Sequence, residues 1–452
     1  MFSISCEWID RQDVLLDEYE ATFSRFSIQS NNIYLTQVRD TNQISRSYIH
    51  IPAYPVAEWL AFNWWSLFHE VENPLKRNQE LFSRHNLLSG SDGYAVPNII
   101  FYPQGKNIEI LCSERNNDFS GLIFENRNQA FSFPYETVQD SISTFIESTI
   151  ARLEEKNIFD TQLQKRWQLI TQISTEEEYF ASICGMLGLD PFDMDIELSE
   201  KIIQVYGKIN DDAIEDFFSM ATIDNIIEQE KINRKFFDSA KPQTELSELA
   251  IFKKHISKDS NGKLKHASLK PWERGYTLAR ACCKHFDITH PISTPSDMLK
   301  KLGTAPDRIQ DSYKNVDYRP GGKILRNVIF SSFRNEDGKL GFSLLKASSQ
   351  QQNFYLTRAI YAYLASDDTY RIITPAHTAY QQESRAFGAE FLVPSIQLKK
   401  RLRRLKTLIL EDIDELAQEY NVSPEIIRYQ IKNHMQDIEM QHDRNVSCSI
   451  AR

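Results

Sequence analysis

The sequence predicts a multidomain α+β protein that is predominantly helical. The chain has 452 residues, enough for about three domains at roughly 100–200 residues each. Hydrophobic residues make up 41% and charged residues 25% of the chain. These values are typical of folded soluble domains and exclude a largely disordered chain. Helical periodicity dominates the middle of the chain, and short β-rich runs occur before and after it.

Residues 1–160 are predicted to form a mixed α+β N-terminal domain. Runs rich in β-forming residues, bounded by polar turns, predict strands at 32–38, 47–51, 98–102 and 108–112. An aromatic-rich segment at 57–72, with Trp59, Trp64 and Trp65, predicts a helix, and another is predicted at 137–155. We interpret the aromatic segment as a helix buried against a sheet; the alternative is a stacking platform for a ligand or a base.

Residues 161–290 are predicted to form a helical region. The apolar periodicity predicts helices at 175–187, 196–206, 211–221, 223–240, 247–256 and 271–286. Acidic residues stand in the first turn at 176–178, where the helix dipole favours them, and Gly188 is a plausible C-cap. The polar segment 258–269 predicts a loop.

Residues 291–398 predict a compact α+β element, and residues 399–452 a basic helix followed by a helix-turn-helix-like pair. The first part carries predicted helices at 295–302, 354–364 and 381–392 and two strands at 324–331 and 340–345, joined by a turn at 334–338. The pair is predicted at 414–420 and 424–433, with Asn421 suited to the left-handed corner and Pro424 to the first helical position.

The sequence at 383–394, ESRAFGAEFLVP, and the helix pair that ends at Asn433 resemble the ImmA/IrrE family of bacteria and phages. Members are zinc metallopeptidase-like domains, often found beside helix-turn-helix regulators. Their second helix carries a glutamate, a small residue and then Phe-Ala-Ala-x-Leu-Leu-Met-Pro. The matching positions here are Glu383, Phe387, Ala389, Leu392 and Pro394. The resemblance covers roughly residues 294–433 and implies a setting in stress response, toxin–antitoxin or phage-defence loci.

The chain departs from the family at the HExxH motif, in which two His bind zinc on one helix face and the Glu activates water. Arg358 and Ala362 stand at the His positions and Ala359 at the Glu position. The resemblance therefore implies a degenerate former active site made of Arg358, Ala359, Ala362 and Glu383, without catalytic residues, metal or cofactor. We further hypothesise that an Arg358–Glu383 ion pair replaces the metal bridge.

Other metal ligands are scarce in the sequence. His69-Glu70 begins like HExxH, but the fifth residue is Asn73. His377 precedes the Glu383 helix and could join it as a ligand, yet one His and one Glu fall short of the three protein ligands of a catalytic zinc.

The C-terminal segment carries basic residues that could contact nucleic acid. They are Lys399, Lys400, Arg401, Arg403, Arg404, Arg428 and Lys432. Gln430 and Asn433 are also residue types able to read bases. The alternative is a solvated helix face that the acidic residues at 411–419 neutralise.

The remaining features exclude several classes. The net charge of −10 argues against a basic nucleic-acid coat, and no apolar stretch is long enough to span a membrane. No signal peptide is apparent, and six unpaired-looking cysteines indicate a reducing compartment, so we expect a cytoplasmic protein. Cys282 and Cys283 predict buried thiols, and Asp190, Asp193 and Asp195 a solvated loop.

From these observations we expect a non-catalytic bacterial regulatory or sensor/interaction protein built on an ImmA/IrrE-like pseudopeptidase scaffold. The substituted HExxH positions favour a protein without peptidase activity. Its partner would be another protein, such as an effector, toxin or regulator, and not a membrane. The alternatives are a zinc metallo-endopeptidase that cleaves a regulator, and a DNA-binding transcriptional regulator.

Overall fold

The computed structural model describes residues 1–10, 16–73, 78–113, 121–126, 128–259, 270–317, 329–403, 407–434 and 439–440. The chain divides into two compact units. Unit 1 comprises Met1–Gly207, Phe218–Asn225 and Ala376–Thr378, and unit 2 comprises Lys208–Phe217, Ile226–Pro375 and Ala379–Arg452. Helices predominate over several small sheets, so the predicted α+β, predominantly helical class is confirmed. The division into four segments at residues 160, 290 and 398 stays a prediction.

Unit 1 contains a mixture of short strands and helices. Its strands are β1 (Phe2–Trp8), β2 (Phe23–Ser30), β3 (Ile33–Tyr34), β4 (Val38–Arg39), β5 (Ser45–Arg46), β6 (Ile49–Pro52), β7 (Ile99–Gln104), β8 (Asn107–Cys112), β9 (Ile123–Phe124) and β10 (Gln129–Pro134). Its helices are α1 (Asp17–Ala21), α2 (Tyr54–Phe62), α3 (Trp64–His69), α4 (Asn78–His85), α5 (Tyr135–Glu155), α6 (Gln162–Thr171), α7 (Thr175–Leu187) and α8 (Ile196–Tyr206).

The sheets of unit 1 are antiparallel and share one core with the aromatic helices. β2 pairs with β1, β3 and β6, and β8 lies between β7 and β10. Trp59, Trp64 and Trp65 are buried in this core, which confirms the interpretation of the aromatic segment as a buried helix. Gly185 of α7 faces the backbone of Trp65 so closely that a Cβ would collide with it, and α3 and α7 therefore pack in direct contact.

Two predictions for unit 1 were wrong in detail, each for a local reason. The predicted helix at 57–72 is two helices, because the Asn63 amide donates to the Trp59 carbonyl at 2.8 Å and ends α2. The strand predicted at 32–38 is interrupted, since the Thr36 hydroxyl donates to the Ser47 carbonyl at 2.7 Å. β1, β2 and α6 were not predicted.

Unit 2 combines one mixed sheet with a larger set of helices. Its helices are α9 (Ile214–Met220), which continues into unit 1 after Phe217, α10 (Ile226–Ser239), α11 (Ser247–Asp259), α12 (Pro271–His285), α13 (Pro295–Lys301), α14 (Ile309–Ser312), α15 (Ser349–Ala365), α16 (Ala379–Leu392), α17 (Ser395–Leu402), α18 (Leu410–Tyr420) and α19 (Pro424–His434). Its strands are β11 (Tyr313–Val316), β12 (Ser331–Glu336), β13 (Lys339–Leu345), β14 (Tyr370–Ile373), β15 (Thr407–Leu408) and β16 (Glu439–Met440).

The main sheet of unit 2 has the strand order β11-β13-β12-β14. β12 and β13 form a hairpin whose turn residues, Asp337 and Gly338, both have positive φ (50° and 77°), as a two-residue hairpin turn requires. The strand predicted at 324–331 was placed too early, because β12 begins at Ser331 and extends to Glu336. Residues 324–328 of that prediction lie outside the described residues. Most of the loop predicted at 258–269 also lies outside them.

Several helices match their predictions closely. α7 and α8 have the predicted bounds, and Gly188 ends α7 in the left-handed conformation, which confirms the predicted C-cap. The helices predicted at 211–221 and 223–240 begin instead as short 3₁₀ turns. None of the helices among the described residues is long and apolar enough to cross a membrane.

Candidate functional site

α15 is the helix on which the sequence resemblance places the family's HExxH positions, and most of its length is buried. The Ser348 hydroxyl caps the first turn of α15 by accepting from the backbone N–H of Gln351. Every side chain from Leu356 to Leu364 is buried. A helix that is buried on all faces belongs to the interior of a domain, and α15 packs against β12, β13 and β14 and against α16.

Arg358 lies on this helix with its guanidinium completely enclosed. Its Nε donates to the Ser384 hydroxyl at 3.0 Å, and one terminal nitrogen donates to the Thr374 carbonyl at 3.0 Å and to Gln381 Oε1 at 2.7 Å. All three acceptors are neutral, and the rings of Phe330 and Phe354 lie about the guanidinium at 6.0 and 5.8 Å. Burial lowers the pKa of Arg358 well below its ordinary value.

Gln381 links Arg358 to an ion pair formed by Asp216 and Arg371. Its amide nitrogen donates to Asp216 Oδ1 and to the Ile372 carbonyl, both at 2.9 Å, while its oxygen also accepts from the Thr374 amide. Because all these groups are buried, the orientation of the Gln381 amide is fixed. The result is a chain of hydrogen bonds from α15 through α16 to α9.

Asp216 and Arg371 form the charged end of the network. Arg371 donates to Asp216 Oδ2 at 3.2 Å and to Asp368, and its guanidinium lies 4.0 Å from the centre of the Tyr380 ring. Burial raises the pKa of Asp216, and the Arg371 charge opposes that rise. Burial alone would lower the pKa of Arg371, but the charges of Asp216 and Asp368 raise it above its ordinary value.

Glu383 does not have the partner, Arg358, that we hypothesised for it. Its carboxylate accepts short hydrogen bonds from the Tyr361 hydroxyl and from the Arg274 guanidinium of α12. Arg358 does not pair with Glu383, so the predicted Arg358–Glu383 ion pair is wrong. The reason is that neutral acceptors from α16 and the β14 end surround Arg358, while a different arginine reaches the carboxylate. Burial raises the pKa of Glu383, and the two donors oppose that rise.

The residues at the family's metal positions do not fit a zinc ion. Arg358 has no lone pair to give, and Ala359 and Ala362 are fully buried methyl groups. Glu383 already accepts from a phenol and a guanidinium. Within the described part of the chain, His, Cys, Asp and Glu nowhere group in threes in a way that could hold a metal ion.

The histidines considered as metal ligands have other roles in unit 1. His377 Nδ1 lies 3.3 Å from the Glu72 carboxylate. Glu70, which follows His69, accepts from Arg84 at 2.6 and 2.7 Å and lies 3.3 Å from His85. The Asn73 amide donates to two backbone carbonyls, at Ser219 and Met220.

The basic residues of the C-terminal segment are largely solvent-facing. Lys399, Lys400 and Arg401 are exposed on α17 and Arg403 is exposed directly after it, whereas Leu398 and Leu402 of the same helix are buried. Arg401 pairs with Glu419 at 3.4 Å, so the acidic residues neutralise one of the four in part. On α19, Lys432 is exposed and Arg428 half-buried. Arg404 lies outside the described residues.

The helix pair α18–α19 is joined at the predicted corner, with Asn421 in the left-handed conformation (φ 53°). α19 is anchored through Gln430, which is fully buried and donates to Glu390 at 3.0 Å and to the Val393 carbonyl at 2.6 Å. Asn433 donates to the Tyr276 hydroxyl at 3.1 Å. Two of the side chains proposed to read bases are therefore engaged inside unit 2.

The remaining candidate residues also have structural contacts. Burial raises the pKa of both the Cys282 and the Cys283 thiols, Cys283 to about 12, which disfavours the reactive thiolate form. Asp190 is not merely a solvated loop residue, because it accepts from Arg166 at 2.7 Å. Asp195 caps α8 by accepting from the Leu198 amide at 2.7 Å.

Sequence reasoning missed most of the network. Gln381 and Tyr361 lie on the two predicted helices, and their polar side chains among apolar neighbours were a signal that could have been followed. Asp216 and Arg274 come from α9 and α12, more than a hundred residues from Gln381 and Glu383 along the chain in each case. No local pattern in the sequence indicates those contacts.

Part of unit 2 matches a known protein family. Residues 347–432, from α15 to α19, match the family described as the IrrE N-terminal-like domain. The resemblance is thus confirmed, and this part of the chain, less than half of its length, is ImmA/IrrE-like. No curated protein matches the chain with significance.

Proposed function

We propose that the chain is a non-catalytic bacterial regulatory or sensor/interaction protein, in which the ImmA/IrrE-like part of unit 2 is a pseudopeptidase scaffold. The observation that carries this proposal is Arg358, a buried cation with three hydrogen bonds at the position of the first metal-binding His. The partner would be another protein. The resemblance supports a stress, toxin–antitoxin or phage-defence setting.

Electrostatics and ligand chemistry both oppose a catalytic zinc at these positions. A guanidinium stays protonated in proteins, so a fixed positive charge stands where a divalent cation would have to bind. Ala359 offers no carboxylate to activate a water molecule, and Ala362 offers no second ligand. The two metal ligands and the water-activating carboxylate that metallopeptidase chemistry requires on this helix are therefore all missing.

Metal analysis of the full-length protein tests this proposal. We expect the chain purified from zinc-supplemented medium to contain well below one zinc ion per molecule, with no change in the Glu383→Gln variant. A zinc peptidase purified from the same medium controls for loading. Stoichiometric zinc that is lost in the Glu383→Gln variant would contradict the proposal and favour a zinc metallo-endopeptidase.

A second candidate function, DNA binding by the C-terminal helices, is favoured by the exposed basic side chains of α17. Because Gln430 and Asn433 are engaged, α19 would contact phosphates and would not read bases through these two side chains. If this candidate is right, Lys399→Glu/Lys400→Glu should weaken binding to duplex DNA and reduce the salt dependence by about two phosphate contacts.

The matched control for that experiment is Lys254→Glu/Lys339→Glu, which makes the same charge change at two other exposed lysines of unit 2. Equal effects of the two double variants in a fluorescence anisotropy titration would show general electrostatics and dismiss the candidate.

A further inference from the structure

Helix α8 presents large apolar side chains to solvent. Ile196 is 79% and Ile203 56% exposed, and the two are seven residues apart, so they share one side of the helix. The half-buried Tyr206 ends the helix, about 60° around its axis from Ile203, and its ring packs edge-on against Tyr179 of α7, with 5.6 Å between ring centres. We call these four residues the α8 face.

The α8 face is additional to the surface by which the helix packs into unit 1. Ile202 and Val205 are completely buried and supply that packing. Single exposed apolar residues are ordinary, but Ile196 and Ile203 lie two turns apart on one side of α8, with Ser199 and Glu200 between them, and the two tyrosines lie at the C-terminal end of the helix. Exposed apolar side chains grouped within a polar rim are typical of interaction sites.

The rim of the α8 face is strongly acidic. Between residues 175 and 206 Lys201 is the single basic residue, and its Nζ donates to the Ile223 carbonyl at 3.1 Å. Exposed carboxylates stand on the first turn of α7 and along the start of α8, at Glu176, Glu177, Glu178, Asp193, Asp195, Glu197 and Glu200. The Tyr179–Tyr206 contact places the acidic first turn of α7 near the C-terminal end of α8, so carboxylates flank the α8 face at both ends.

We propose that the α8 face binds an amphipathic helix of a partner protein whose apolar stripe is flanked by Lys and Arg. This rests on the proposed function and names the chemical class of its partner. Ile196 and Ile203 are about 10.5 Å apart along the axis at 1.5 Å per residue, the spacing of the apolar residues at i and i+7 on a second helix. The α8 backbone is hydrogen-bonded internally and offers no strand edge, and the carboxylates repel phosphate groups of lipids and nucleic acids.

A synthetic peptide of three heptads, with Leu at positions a and d and Lys at e and g, is the probe. Its binding to the full-length chain is followed by fluorescence anisotropy at fixed ionic strength. We expect Ile196→Ser/Ile203→Ser to weaken binding at least about tenfold. The matched control is Ile251→Ser/Ile396→Ser, at two isoleucines of unit 2 that are 55% and 61% exposed, and it should bind as the unchanged protein does.

Charge is tested in a second arm. Glu197→Lys/Glu200→Lys should weaken binding at least about tenfold, while Glu411→Lys/Glu415→Lys on α18 should not. A peptide with Glu in place of each Lys should bind at least about tenfold more weakly to the unchanged protein. All these positions are exposed, so circular dichroism should show folded variants.

Three results would overturn the proposal. The first is equal binding by the Ile196→Ser/Ile203→Ser variant and the unchanged chain, and the second is equal binding of the Lys and Glu peptides. The third is sedimentation that shows a dimer which this double variant abolishes, since a second copy would then occupy the face. None of these outcomes bears on zinc content, so failure here is distinguishable from failure of the proposed function.

Discussion

At the scale of single residues, Arg358 determines the character of the ImmA/IrrE-like site. A guanidinium cannot escape burial by losing its proton at neutral pH, so its enclosure must be compensated by hydrogen bonds. Ser384, Thr374 and Gln381 provide them. The arginine thereby ties α15 to α16 and to the end of β14, which is the mechanical task that a bound metal performs between helices in a metalloprotein.

Gln381 is the residue on which this network depends most, because it contacts a buried cation and a buried anion at once. Gln381→Leu removes an acceptor from Arg358 and a donor from Asp216 while leaving both charges enclosed. We expect the free energy of unfolding to fall by about 3 kcal/mol or more, since hydrogen bonds to charged groups contribute about 1.5–3 kcal/mol each. Urea denaturation followed by circular dichroism measures the change.

The control for this variant is Gln418→Leu, at an exposed position of α18. That change should stay within about 0.5 kcal/mol, as surface substitutions usually do. Similar stabilities for the two variants would contradict the role given to the network.

Glu383 makes a pH-dependent contribution to stability. Its pKa is raised in the folded chain by burial, so between its ordinary pKa and the raised value the folded state binds more protons than the unfolded state. The contribution of Glu383 is therefore fully present below its ordinary pKa, about 4.3, and is lost as the pH rises through the raised value. Glu383→Gln removes this titration.

Urea denaturation at several pH values between about 4 and 7 checks this expectation. The stability of the unchanged protein relative to Glu383→Gln should decrease as the pH rises through that window. Glu415→Gln, at an exposed position, provides the comparison. A difference between the unchanged protein and Glu383→Gln that is constant across the window would show that Glu383 does not titrate as proposed.

At the scale of elements, the contact between α12 and α16 depends on a glycine. A Cβ at Gly275 would lie 2.9 Å from the Ala386 Cβ and would collide with the Glu383 carbonyl oxygen. Because that neighbour is backbone, it cannot rotate away. The close approach also brings Arg274 to the Glu383 carboxylate.

Gly275→Ala should therefore destabilise the chain although alanine is the better helix former. Overpacking costs about 1–3 kcal/mol, against a gain in helix propensity of about 1 kcal/mol. We expect a net loss of up to about 2 kcal/mol in the free energy of unfolding, measured by urea denaturation. Gly207→Ala is the matched control, since its Cβ would meet nothing closer than 3.7 Å and should leave stability unchanged or slightly raised. A stabilised Gly275→Ala variant would show that α12 and α16 are not packed this closely.

Elements with local signals were predictable from the sequence, and those without them were not. α7 begins with a capping box at Ser174 and Glu177 and ends at Gly188, so both of its ends are encoded within the helix itself. β14 has four residues and is defined by its pairing with β12, a partner more than thirty residues away along the chain. The same holds for the site, where the HExxH departure was visible but the partners of Arg358 and Glu383 were not.

At the scale of the whole chain, each unit has its own hydrophobic core. The core of unit 2 contains side chains from α11 to α19, including Ile413, Leu416 and Ile427 of the helix-turn-helix-like pair. Glu390 binds Arg280, Ser395 and Gln430, and so joins α12, α17 and α19 around one buried carboxylate. The C-terminal helices are thus part of the folded unit.

This architecture predicts that the stability of the chain does not depend on a metal ion. The helices around Arg358 are joined by hydrogen bonds and packing. Ala359 and Ala362 carry no ligand atoms, and the Glu383 carboxylate already accepts from Tyr361 and Arg274. Prolonged treatment with EDTA should leave the melting temperature within about 1 °C, because a lost stabilisation of 1 kcal/mol would already lower it by about 2–4 °C in a domain of this size. Added zinc should likewise produce no upward shift, since a ligand that binds only the folded state would raise the melting temperature with its concentration. Differential scanning calorimetry with and without chelator measures both effects, and a drop in EDTA that zinc reverses would mean that ligands outside α15 hold a metal after all.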